Sequence, residues 1–257
     1  MAIAELLCTD LASVELALEL GADRIELCAA LEVGGVSPGP GLLREALLAR
    51  DRARARGGRT EIVVLTRPRR GDFSLDDGDF AALQADVAAA RDLGADGVAL
   101  GVLTAHGQVD VARTARLVED SGPLKVTFHR AFDQLADRTA GLDALLGLGV
   151  DRLLTSGGAP SAWEGREELG RLVERVGVEL EVVAAGGVTG ESARRLLEAT
   201  GVPAIHGSCS HSVTVEAGGE GRALPLGKAG AGPEDRRLTL EHGSAGQFIA
   251  AARGAPS

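Results

Sequence analysis

Cysteine is scarce in this chain: Cys8, Cys28 and Cys209 form neither an even set nor a CxxC pair. That excludes a disulfide framework and a structural zinc site of the usual spacing. Methionine occurs once, as Met1, so a Met-rich carrier of soft metal is excluded as well. Tyrosine is absent and lysine stands only at Lys125 and Lys228 beside abundant arginine, a bias of codon usage with no bearing on chemistry. No basic block exists, and a net charge of −10 with a pI near 5.1 opposes a phosphate backbone, so nucleic acid is not an expected partner. Nowhere do roughly 18 apolar residues run on without a charge, and Met1-Ala2-Ile3-Ala4-Glu5 has no basic start. No membrane partner and a cytoplasmic location are the expectations.

What is present is a recurring junction. Leu20-Gly21-Ala22-Asp23, Leu93-Gly94-Ala95-Asp96 and Leu148-Gly149-Val150-Asp151 share one pattern, and Thr200-Gly201-Val202-Pro203 is a looser copy. Glycine just after a helix takes the left-handed conformation that satisfies the last carbonyls, and the Asp opens a β-rich run. Successive copies lie about fifty to seventy residues apart, the length of two βα units. The intermediate runs Glu61–Leu65, Leu124–Phe128 and Leu180–Ala184 fill the gaps, and Ile3–Leu7 and Ala204–His206 bring the strands to eight. Between them, Leu11, Val14, Leu18 and Phe80, Leu83, Val87 fall three or four apart, as on one helix face. Strict alternation means a parallel sheet, and a GxGxxG fingerprint after the first strand is missing. The fold expected is a (β/α)8 barrel of TIM type over residues 1–212, followed by a Gly-rich link and a short helix in 213–257.

Functional residues of such barrels lie at the carboxyl ends of the strands. Side-chain alternation turns Arg24, Glu26 and Cys28 inward, with Lys125, Thr127 and His129 on the fifth strand and Ala204, His206 and Ser208 on the eighth. If Glu5 and Leu7 face inward, Cys8 faces the helices. His129, beside Arg130 and Asp133, reads as a proton carrier, with Glu26 and Asp133 completing the candidate catalytic set. For Glu26 and Arg24 the leading reading is structural, an ion pair with each other or across the barrel. Arg67 and Arg69, the turns Ser156-Gly157 and Gly186-Gly187, and His206 and Ser208 form the candidate site for a small anion such as phosphate or carboxylate.

These residues carry a resemblance. Gly21-Ala22-Asp23-Arg24-Ile25-Glu26-Leu27-Cys28, Arg67-Pro68-Arg69 with Gly71-Asp72-Phe73, Val126-Thr127-Phe128-His129-Arg130-Ala131-Phe132-Asp133 and Leu154-Thr155-Ser156-Gly157 resemble, in order, the motifs of the CutC family over residues 3–212. Arg70, where the family tends to have glycine, and His206-Gly207-Ser208 depart from its pattern. The resemblance implies a cytoplasmic barrel protein, a homodimer or larger homo-oligomer, and a role in copper homeostasis with Cu(I) held by Cys8 and Cys28. The thiols read equally as small buried hydrophobes. Two functions therefore stay open: copper binding of the CutC type, or an enzyme acting on a small anionic, phosphorylated or carboxylated, metabolite without an organic cofactor.

Overall fold

The computed structural model describes residues 1–214 and 236–254. Eight parallel strands close a barrel in sequence order: β1 (Ile3–Cys8), β2 (Arg24–Leu27), β3 (Glu61–Leu65), β4 (Gly97–Leu100), β5 (Lys125–Phe128), β6 (Arg152–Thr155), β7 (Glu181–Ala184) and β8 (Ala204–Gly207). Helices α1 (Leu11–Leu20), α2 (Pro40–Arg54), α3 (Asp77–Asp92), α4 (Val111–Ser121), α5 (Arg138–Gly147), α6 (Arg166–Val176) and α7 (Gly190–Thr200) alternate with them. The sequence expectation of a TIM-type barrel is met in every strand.

The repeated junction has a structural purpose beyond ending helices. Gly21, Gly94, Gly149 and Gly201 all hold φ between 66° and 83°, where an L side chain is strained. The Asp that follows then reaches sideways. Asp23 accepts the Ala4 N–H of β1 at 2.9 Å, Asp96 the Ile62 N–H of β3 at 2.8 Å, and Asp151 the Val126 N–H of β5 at 2.8 Å. Each carboxylate thus clasps an even-numbered strand to the odd one before it and caps a donor at the barrel's lower rim. At the fourth copy Pro203 offers only its carbonyl, which accepts the Ile3 N–H.

The outer core lies between sheet and helices. Ile25, Leu27, Val98, Leu100, Val126 and Phe128 pack there against faces such as Val14 and Ala17 of α1 or Leu83 and Val87 of α3. Inside the barrel are two smaller apolar groups, Leu7, Cys28, Val63, Leu65 and Ala99 in one, and Leu154, Val183, Ala185 and Ala204 in the other. The strand alternation drawn from sequence holds, with one correction. Lys125 sits at the lower rim with its side chain 58% exposed and pairs with Asp151 at 2.6 Å, because its strand begins there.

Beyond β8 the chain forms a two-stranded antiparallel ribbon, β9 (Ser210–Thr214) with β10 (Arg236–Leu240), where the sequence reading expected only a link from residue 213. The Gly-rich stretch of that link lies outside the described residues. The ribbon is tied to α1, where Ser13 Oγ accepts the Leu240 N–H at 3.1 Å. Helix α8 (His242–Ala252) packs Phe248 and Ile249 into the outer core. Among the described residues no helix is long and apolar enough to cross a membrane.

Candidate active site at the barrel mouth

A cavity of about 240 Å³ opens at the carboxyl ends of the strands. Its walls include Glu26, Arg67, Phe73, His129, Arg130 and His206. Ala185 to Val188 and Gly207-Ser208 complete the side formed by β7 and β8.

Beneath the cavity runs a column of charge. Arg24 donates to Glu5 at 2.9 Å and to Glu181 at 2.8 Å, and Arg152 donates to Glu61 at 2.6 Å. Glu5 lies level with both Arg24 and His206 in the barrel. Its other oxygen meets His206 Nδ1 at 2.7 Å. Burial would push the Glu5 carboxyl up, but His206 and Arg24 prevail and hold it at about 2. An ionised Glu5 accepts only, so Nδ1 must be the donor and His206 Nε2 faces the cavity side. There it stands 3.9 Å from Glu26.

Glu26 is 4% exposed and accepts no hydrogen bond among the described residues. Burial raises its pKa to about 7, with His206 opposing and Glu5 adding to the rise. Burial pulls His206 down, yet the Glu5 hydrogen bond and the charges of Glu26 and Glu5 lift it above the ordinary imidazole value. Four carboxylates (Glu5, Glu26, Glu61, Glu181) meet two guanidinium groups in this column, so the excess is balanced by protons shared between Glu26 and His206. Glu5, Glu26 and His206 also place ligand atoms within 4.8 Å of one another, a set whose donor types suit a cation.

His129 occupies the opposite wall. Its Nδ1 accepts the Ala131 N–H at 3.2 Å and starts the short 3-10 turn of Arg130–Gln134, so the proton resides on Nε2. Nε2 is buried without a partner. Burial and the Arg67 charge lower this imidazole to about 3, which makes it a neutral donor at working pH. Gly101 makes room for the ring, since a Cβ there would come 2.5 Å from Cε1. Phe73 packs against the ring at 4.9 Å and Arg67 lies 4.9 Å over Phe73.

The remaining sequence candidates divide. Gly186, Gly187, His206 and Ser208 line the cavity with Arg67, Glu26 and His129. Arg67, however, spends its Nη groups on the carbonyls of Gly35 and Gly71 at 3.0 and 2.7 Å, leaving Nε buried and unpartnered. Arg69 is outside the cavity. It is consumed by Asp79 of α3 at 2.5 Å, and by Asp72 at 3.3 Å and the Ser74 carbonyl in its own loop. Asp133 does not orient His129; it receives Thr155 Oγ1, the Ser156 and Gly158 N–H groups and Arg130 Nε. Ser156 and Gly157 belong to that supporting turn, with Ser156 Oγ accepting Arg130 Nη2 at 3.0 Å.

The two thiols do not share a face. Cys8 stays in register with Leu27 and packs with the helix-side core, while Cys28 joins the interior group. Burial pushes both thiols up, with Asp10 and Cys28 adding to the rise at Cys8, and Glu26 and Glu32 at Cys28. Sequence reading passed over Glu5 and Arg130 as site residues. Glu5 was signalled by its inward alternation, and Arg130 by its place directly after His129.

A family model described as the CutC family matches residues 2–211. The chain is 42% identical over 196 residues to a family protein CutC of Vibrio vulnificus strain YJ016, covering 76% of this chain and 75% of that one. It is 39% identical over 198 residues to the human copper homeostasis protein cutC homolog, covering 77% and 69% of the two chains. The crystal structure of a CutC protein from Streptococcus agalactiae superposes with a TM-score of 0.76 at 29% identity, covering 81% of this chain and 99% of that one. With barrel, motifs and relatives in agreement, the chain belongs to the CutC family.

Proposed function

We propose that this CutC-family barrel is an enzyme that moves a proton on a small anionic metabolite, with Glu26 and His206 as the acid–base pair. The observation that carries the reading is the Glu26 carboxylate, buried on the cavity wall, without a donor and 3.9 Å from an imidazole fixed by Glu5. A base works best with a pKa near the working pH, and Glu26 has been brought to about 7. The acid of the pair is His206, which as the imidazolium keeps Nδ1–H on Glu5 and offers Nε2–H on the cavity side. Neutral His129 supplies Nε2–H to an oxygen of the ligand, as a donor whose burial removes competition from water. Arg67 and Arg130 give the mouth its positive end.

The test is deuterium uptake. Wild-type protein in D2O is expected to label a C–H bond next to a carbonyl in one member of a panel of small phosphorylated and carboxylated metabolites, read by proton NMR. Glu26→Gln should slow uptake by about 10²-fold or more. Uptake that persists undiminished in Glu26→Gln would end its role as base.

Copper handling is the second reading, supported by the name of the human relative and by two thiols at neighbouring strand ends, where Cys28 N–H donates to the Cys8 carbonyl at 3.0 Å. A Cu(I) site there requires the Cys8 side chain to turn through the sheet and both thiols to lose their protons. Anaerobic Cu(I) titration against a competing chelator decides it. One-to-one binding lost in the Cys8→Ser, Cys28→Ser double variant supports this reading, and binding indifferent to the cysteines removes it.

A further inference from the structure

We infer that the anionic end of the ligand is a phosphate monoester, seated on the turn after β7 and held by Arg130. The inference rests on the acid–base reading only for what happens at the ligand's other end. Backbone bonding stops after Ala185, whose N–H reaches the Thr155 carbonyl at 2.9 Å, and resumes at Thr189, whose N–H reaches Ser192 Oγ at 3.0 Å. Between them the N–H groups of Gly186, Gly187 and Val188 have no partner among the described residues, and all three residues line the cavity. Gly186 and Gly187 hold φ of +103° and +69°, a turn that glycine adopts readily, and its three successive unpartnered N–H groups are the donors assigned to the anion, called the nest below.

Arg130 faces this nest with a donor to spare. Its Nε is bound to Asp133 at 2.8 Å and its Nη2 to Ser156 at 3.0 Å, while Nη1 has no partner. A Cβ built on Gly186 would lie 3.5 Å from that same Nη1, so the open donor and the nest adjoin. Ser208, just after β8, lines the same cavity and is the hydroxyl assigned to complete the set. Three backbone donors, one guanidinium N–H and a hydroxyl outnumber what the two oxygens of a carboxylate can use, and match the three terminal oxygens of a phosphoryl group. Across the cavity stand His129 Nε2, buried and unpartnered, and the pair Glu26 and His206. The ligand so described is a short phosphate monoester with its carbonyl or hydroxyl carbon directed at Glu26.

The probe is inorganic phosphate, followed by 31P NMR line width and shift on the intact chain, with acetate as competitor. Saturable binding is expected, little displaced by equal acetate. Arg130→Met should weaken it about tenfold, the worth of one charge-assisted hydrogen bond, and Arg130→Lys, which keeps the charge and the fold, by a smaller factor. Arg69→Met should leave it within about twofold, as expected for a surface change outside the cavity. No saturable binding, equal displacement by acetate, or equal loss in Arg69→Met and Arg130→Met overturns the inference. Phosphate binding without deuterium uptake by any metabolite would retain this site and discard the acid–base reading. Uptake on a carboxylate metabolite that phosphate does not inhibit would do the reverse.

Discussion

A carboxylate taken out of water without a donor is held at the cost of its charge, and Glu26 pays that cost for the sake of its position. Its folded pKa near 7 lies above the ordinary 4.5, so the folded state holds the proton more tightly than the unfolded chain. The stability tied to that proton is fully present below about pH 4.5 and is lost as pH rises through about 7. Glu26→Gln cannot ionise and escapes the loss. In urea denaturation the variant should match wild type near pH 4.5 and exceed it at pH 8, by on the order of 3 kcal/mol at most. A gain independent of pH would mean that the site is not titrating. Glu5 carries the opposite sign: His206 and Arg24 hold it low, so its stabilisation is present above 4.5 and fails as pH falls toward about 2.

Between neighbouring elements the Asp clasps do most to set register, and they are not equal. Asp96 accepts the Ile62 N–H, Arg50 Nη1 and Arg54 Nη2, each at 2.8 Å, and Arg50 is only 5% exposed. Asp151 serves the Val126 N–H and an exposed Lys125. Removing Asp96 strands part of a buried guanidinium, so Asp96→Ala should cost about 2–3 kcal/mol. Asp151→Ala should cost about 1 kcal/mol, that of one backbone donor returned to water at the rim. Urea midpoints at pH 7 compare the two, and equal losses would show that the clasp alone matters. These junctions were also what made the fold readable: glycine then Asp at two-unit spacing marks helix end and strand start with local chemistry alone. The β9 and β10 ribbon was not readable, because its strands are separated by a Gly-rich stretch and pair only with each other.

For the molecule as a whole, strand alternation placed Glu26, His129 and His206 at one mouth correctly. What it could not reveal was how each donor is spent. Arg67 and Arg69 stand two residues apart with identical chemistry, yet Arg67 lines the cavity with Nε buried and unpartnered, while Arg69 is spent on Asp79 of α3 and on its own loop. That outcome depends on loop carbonyls brought from β2 and β3 connections, which no local pattern encodes. The Lys125 error has the same origin, since alternation gives a side chain's face but not its height along the barrel axis. In the charged column, Arg24 meets Glu5 and Glu61 on strands next to its own, whereas its link to Glu181 and the link from Glu5 to His206 exist only because the barrel closes.

The clasp that is missing has its own meaning. Strands β1 and β2, β3 and β4, and β5 and β6 are each stapled by an Asp, whereas β8 is preceded by Pro203, whose carbonyl turns to Ile3 of β1, and pairs with β7 with no such staple among the described residues. Three of the four successive strand pairs therefore carry a side-chain staple at the lower rim, and the fourth pair meets through its ladder. A substitution in the turn after β7 therefore leaves every staple in place.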